Sequence, residues 1–127
     1  MISRRQMLTA SAAGATALVY PFSMARAQGS PTPDQVFFDP EIPALGNPKG
    51  DVTIVEYFDY QCPYCKVGHP ELMKVVEQDG KVRLVMKDFP IFGSVSIYAS
   101  NLALAAHSEG AYEQALNALM ATEGRLR

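Results

Sequence analysis

Apolar residues crowd the chain from Asp51 to Asp59, where Val52, Ile54, Val55, Tyr57 and Phe58 leave both faces of an extended segment largely hydrophobic. That pattern predicts an interior β-strand. Beyond Gln61 the spacing changes: Val67, Leu72, Met73, Val75 and Val76 give an apolar side to a helix running to about Gln78. Asp79-Gly80 signals a turn, and Val82 to Met86 reads as a second strand. After Phe89-Pro90 two more helices are predicted. The first has Ser94 as its cap and extends to about His107, and the second carries Tyr112, Ala115, Leu116, Leu119 and Met120 on one face. Residues 28–50 contain Pro31, Pro33, Pro40, Pro43 and Pro48 and read as an irregular lead-in, with a short edge strand at Val36-Phe37-Phe38. Strand, helix, strand and then helices is the grammar of an α/β domain.

The first 27 residues follow a different logic. Arg4 and Arg5 precede a small-residue apolar stretch from Met7 to Val19, and Ala25-Arg26-Ala27 offers a small-x-small cleavage site. Ser3-Arg4-Arg5-Gln6-Met7-Leu8 is similar to a twin-arginine export signal. The stretch is rich in Ala, Ser, Thr and Gly and holds Pro21, which makes it a poor membrane anchor. Cleavage removes three arginines and takes the formal charge from −2 to −5. An acidic protein without a basic patch is not expected to bind nucleic acid. Of 127 residues, about 100 then remain to form one modest core. The expected location is periplasmic or otherwise exported, where disulfides persist.

Two cysteines are too few for a disulfide scaffold or a four-thiolate zinc site. Cys62 and Cys65 sit between a strand and a helix. A helix N-terminus offers unpaired N–H groups and a partial positive charge, which favour a thiolate. Lowering a thiol pKa by two units takes about 2.7 kcal/mol. The helix dipole supplies roughly 0.3–1 kcal/mol, up to ~2 when partly buried, so direct N–H···S bonds must add to it. Pro63 suits the first helical position, which needs no donor. The spacing predicts Cys62 at the cap, exposed and nucleophilic, with Cys65 one turn in and placed to resolve a mixed disulfide. So short a loop stabilises a fold by only about 2 kcal/mol, which favours a redox-active pair over a structural staple. A partial metal site of Cys62, Cys65 and His69 is the rival reading. Taken alone, His69 reads as a partly exposed helix residue, and His107 receives no role.

Glu56 shares a strand face with Val52, Ile54 and Phe58. It reads either as a residue that strand twist carries to solvent or as a buried acid with a raised pKa, poised to exchange a proton with Cys65. Lys87 on the next strand is its candidate charge partner.

The run Val52-Thr53-Ile54-Val55-Glu56-Tyr57-Phe58-Asp59-Tyr60-Gln61-Cys62-Pro63-Tyr64-Cys65-Lys66, with His69-Pro70-Glu71-Leu72 after it, resembles the active-site half of the DsbA-like branch of the thioredoxin superfamily. Lys87-Asp88-Phe89-Pro90-Ile91 and the Ala-rich segment 94–106 extend the resemblance over roughly residues 46–126. It implies a thioredoxin-like α/β fold with a helical insertion from about residue 94, and thiol–disulfide exchange without a cofactor. It further implies Cys62 as attacking thiol, Cys65 as resolving thiol, Glu56 as buried acid, Pro63-Tyr64 as the dipeptide that tunes redox potential, and Pro70 as a helix-kinking proline. Expected partners are cysteine-containing secreted proteins and, for an oxidase, a membrane quinone-linked partner. The direction of exchange stays open between oxidase and reductase or isomerase. The family pattern continues to a cis-proline loop and further strands that have no counterpart before Arg127. A truncated chain is therefore expected, with an inactive fragment as a further alternative.

Overall fold

The computed structural model describes residues 29–126, and the export segment expected at 1–27 lies outside the described residues. Strand β1 (Ala44–Gly46) is followed by β2 (Val52–Phe58), and α2 (Pro63–Asp79) then carries the chain to β3 (Val82–Asp88). A short helix, α1 (Pro33–Phe37), precedes β1, and α3 (Ser94–Ser108) and α4 (Tyr112–Met120) complete the described elements. β2 and β3 run parallel, in register from Val52 opposite Val82 to Phe58 opposite Asp88. β1 pairs antiparallel on the other side of β3, with Leu45 opposite Leu84.

The sheet order is β1-β3-β2, which corrects the expectation that 51–59 is the interior strand. β3 is central: Val82, Leu84, Val85 and Met86 are all buried, whereas Val52 and Tyr57 of β2 are about half exposed. An apolar pattern on two faces reports that layers cover both faces of the sheet. It does not report how many strands lie alongside.

Even-numbered residues of β3 join Phe58, Tyr60, Val76, Ala99, Ala103, Leu116 and Met120 in one core beneath the helices. Its odd-numbered residues point to the opposite face, where α1 lies. Arg83 donates to the Phe37 carbonyl at 2.6 Å and stacks over the Phe38 ring, and Lys87 Nζ donates to the Gln35 carbonyl at 2.9 Å.

The edge strand expected at 36–38 is not formed; α1 takes its place. Thr32 Oγ1 accepts the Gln35 N–H, Gln35 Oε1 accepts the Thr32 N–H, and Pro33 occupies the first turn. This capping box, followed by a proline that needs no donor, nucleates a single turn of helix despite the aromatic pair behind it.

Helix α2 ends where Asp79-Gly80 predicted, with Gly80 left-handed at φ 69° and its N–H on the Val76 carbonyl. Helix α4 buries Tyr112, Leu116 and Met120, as its spacing predicted. Helix α3 departs in one respect: Gly93 occupies the cap position and Ser94 is already helical, with no side-chain cap. Lys66, just inside α2, extends its Nζ to Thr122 O, Thr122 Oγ1 and Gly124 O at 2.7–3.0 Å, fastening the segment after α4. Among the described residues no helix is long and apolar enough to cross a membrane.

Candidate active site at the start of helix α2

The turn between β2 and α2 is organised by Asp59. Its backbone carbonyl accepts the Cys62 N–H at 3.0 Å, and its Oδ1 accepts the Gln61 N–H at 2.7 Å, the side-chain turn that Asp favours. The same carboxylate reaches the loop before α3: Oδ1 accepts the Ser96 hydroxyl at 2.7 Å, and Oδ2 accepts the N–H groups of Ile91 and Phe92 at 2.7 and 3.1 Å. Burial alone would raise its pKa, but these donors outweigh burial and hold it below the ordinary Asp range. The sequence reading assigned Asp59 no role; its place at a strand end, two residues before Gln61, is the one local signal.

Cys62 is the N-cap of α2, and its Sγ accepts the Cys65 N–H at 3.5 Å. Pro63 fills the first turn, and Tyr64 stands 86% exposed in front of the pair. Burial opposes ionisation of Cys62, yet the Cys65 N–H, the Cys65 thiol and the Tyr64 N–H bring its pKa below the ordinary thiol range. Cys65 moves the other way: burial first, then the neighbouring Cys62 and Glu56, hold its thiol above that range. Both thiols are free and partly accessible. The two thiols therefore differ in ionisation, and a direct N–H contact to Cys62 Sγ stands beside the helix dipole.

Glu56 is half-buried on the core face, in register with Met86. Burial raises its carboxyl pKa, and the charge of His69 partly offsets this. Its Oε2 is buried without a hydrogen-bond partner. The expected pairing with Lys87 does not form. Lys87 lies opposite Tyr57, on the far face of the sheet, with its ammonium on Gln35; adjacent strand positions point to opposite faces.

His69 is also corrected, being 4% exposed, with Nε2 2.8 Å from Asn117 Oδ1 of α4. Among the described residues no group of three His, Cys, Asp or Glu side chains is placed to hold a metal ion, so the rival three-ligand site is not assembled. A second acid, Asp88, ends β3 among Tyr60, Ser100 and Tyr112, and burial raises its pKa. Sequence spacing gave no sign of that cluster, because its members come from four separate segments.

A cleft of about 220 Å³ opens beside the sulfurs, between Cys62 and Cys65 on one side and Tyr57, Phe89, Ile91 and Phe92 on the other. Its apolar wall is substantially exposed, with Phe89 at 55% and Ile91 at 62%.

A family model described as thioredoxin matches residues 39–126. The chain belongs to the thioredoxin family. The thioredoxin-like oxidoreductase of Silicibacter pomeroyi DSS-3 is 47% identical, with a TM-score of 0.72 over 75% of this chain and 55% of that one. The catalytic domain of Proteus mirabilis ScsC is 31% identical, with a TM-score of 0.71 over 74% of this chain and 55% of its own. The thiol-disulfide exchange protein alpha-DsbA2 of Wolbachia pipientis is 30% identical, with a TM-score of 0.64 over 74% and 50%. A curated sodium/proton antiporter of Salinispora arenicola, NhaA 1, matches at 32% identity over 93 residues. The chain thus spans 14% of that antiporter and about half the length of the three solved chains. These relatives place the thioredoxin-like fold and its DsbA-like kinship on firm ground.

Proposed function

We propose that this chain is an exported protein-disulfide oxidoreductase, exchanging a Cys62–Cys65 disulfide with cysteines of secreted proteins. The observation that carries this reading is the Cys65 N–H on Cys62 Sγ at the cap of α2, with the second thiol one turn deeper. In the reducing direction the Cys62 thiolate attacks a client disulfide, forming a mixed disulfide and releasing one client thiolate. Cys65 gives its proton to the Glu56 carboxylate, and its thiolate attacks Cys62 Sγ. The Cys62–client bond breaks, and the second client sulfur leaves as a thiolate. Oxidation of a client runs the same steps in reverse, and reoxidation of the reduced pair is then assigned to a membrane quinone-linked partner.

Three things support the reading: the opposed shifts of the two thiols, the half-buried acid near Cys65, and kinship with proteins described as thiol–disulfide exchange and periplasmic thioredoxin-like proteins. The apolar wall beside the sulfurs suits an unfolded client segment. Residues 1–27 act as the cleaved export signal, 28–50 as the lead-in and 51–127 as thioredoxin-like sequence with the helical insertion from about 94. The reduction potential of the pair distinguishes a disulfide donor from a reductase.

The test is a trap. Cys65→Ser accumulates mixed disulfides through Cys62, and Cys62→Ser does not. Equal trapping by both variants overturns the role assignment.

A further inference from the structure

The cleft beside the sulfurs has two walls that come from separate segments of the chain. Cys62 and Cys65 stand at the start of α2, and Phe89, Ile91 and Phe92 belong to the loop of residues 89–93 between β3 and α3. All three of those loop side chains are substantially exposed, so core packing does little to fix them. Hydrogen bonds to the end of β2 do. The Phe89 N–H donates to the Phe58 carbonyl at 2.8 Å, and the Ile91 and Phe92 N–H groups donate to Asp59 Oδ2 at 2.7 and 3.1 Å. Pro90 has no N–H to give. The cysteine wall rests on the same residue: Asp59 Oδ1 accepts the Gln61 N–H at 2.7 Å, and the Asp59 carbonyl accepts the Cys62 N–H at 3.0 Å. Asp59 is buried, which shields these bonds from water.

We infer that Asp59 is a positioning residue that determines client specificity: its carboxylate fixes where the apolar wall stands relative to Cys62, and so favours clients with apolar residues beside their cysteine. This rests on the exchange chemistry proposed above and deepens it. Asp59 takes no part in moving the proton or the sulfur bond. A client whose sulfur meets Cys62 Sγ lays its flanking side chains on Ile91 and Phe92 only while wall and thiol keep their spacing. Misplacement by about 1 Å can lower a rate on the order of 100-fold. Without the carboxylate, Phe89 stays tied to Phe58, but the loop beyond Pro90 loses both of its N–H anchors on the cysteine turn. A client with polar flanks gains nothing from that wall and is indifferent to its movement.

The experiment uses the reduced full chain and two synthetic peptide disulfides that differ only beside the cysteine, with Leu and Phe in one and Ser in the other. The rate of thiol release, followed against peptide concentration, gives an apparent Kd and a limiting rate for each. The readout is the ratio of the two second-order rate constants. A change in Cys62 ionisation or in overall stability acts on both peptides alike and cancels in that ratio. The native protein prefers the apolar peptide. Asp59→Ala abolishes the preference through a rise of about tenfold in the apparent Kd of the apolar peptide. Asp59→Asn keeps one acceptor oxygen, and whichever way its amide turns, N–H groups of one wall face an NH2 group, so its ratio falls between the two. Ser96→Ala takes a hydroxyl from the same carboxylate but no N–H from either wall, and keeps the native ratio.

A native protein without the preference overturns the inference. So does a ratio unaltered by the Asp59 substitutions, or one that Ser96→Ala lowers as far as Asp59→Ala does. Should Asp59→Ala not fold, the ratio in Asp59→Asn decides. A native chain that attacks neither peptide overturns the exchange reading itself, whereas attack on both with an unaltered ratio overturns only the role of Asp59.

Discussion

The Asp59 carboxylate accepts the Ser96 hydroxyl at 2.7 Å, joining the turn that presents Cys62 to the first turn of α3. With the N–H groups of Gln61, Ile91 and Phe92 it serves four donors, from two loops and the first turn of α3. Asp59→Ala leaves those donors in a buried site, and the expected loss is about 3 kcal/mol of unfolding free energy. Asp59→Asn keeps one acceptor oxygen and loses less. Denaturant unfolding at neutral pH measures both, and a loss below about 0.5 kcal/mol for Asp59→Ala would contradict the assignment.

Acid and base act on this fold in opposite senses. Asp59 has a lowered pKa, so its contribution is complete above the unfolded Asp value and fades as pH falls through the folded one. Glu56 and Asp88 have raised values. The folded state keeps their protons longer, so stability falls as pH rises from the unfolded value through the folded one, and the penalty is complete above it. Glu56→Gln and Asp88→Asn are each expected to melt higher than the native protein at about pH 8, the gap closing below about pH 4. Melting curves across that range test the sign.

The Cys65 thiol is one of the groups that lower the pKa of Cys62. Cys65→Ala therefore shifts Cys62 ionisation to higher pH, and Cys65→Ser, which retains a hydroxyl donor, shifts it less. Both variants still ionise below free cysteine, because the N–H groups of residues 64 and 65 remain. Thiolate absorbance against pH reads all three proteins.

Two glycines have opposite expectations. A Cβ at Gly50 would collide with Lys81 O and come within 2.8 Å of Arg83 N, backbone atoms that cannot swing aside. Gly50→Ala is expected to cost about 2 kcal/mol. A Cβ at Gly68, inside α2, meets nothing within 4 Å, and Gly68→Ala is expected to gain about 0.5–1 kcal/mol. Paired unfolding curves separate the two.

What could be read from the chain was mostly what is local. Cys62 at the cap, Pro63 behind it, the Gly80 stop and the apolar face of α4 each depend on spacing within a few residues, and each stands where expected. Contacts between distant segments were not legible. Lys87 and Glu56 sit on neighbouring strands as read, yet one residue of register places them on opposite faces. His69 looks like an ordinary helix polar residue until Asn117, 48 positions later, packs against it. The aromatic pair at 37–38 suggested a strand, and a capping box just upstream outweighed that preference.

The ammonium of Lys66 has a mechanical meaning. It belongs to the residue next to Cys65, and it holds three oxygens of the polypeptide beyond Met120. The first turn of α2 and that distal stretch are therefore joined through one flexible alkyl stem. Severing it with Lys66→Met would leave the stretch first among the described residues to exchange its amide hydrogens, while the sulfurs keep their chemistry.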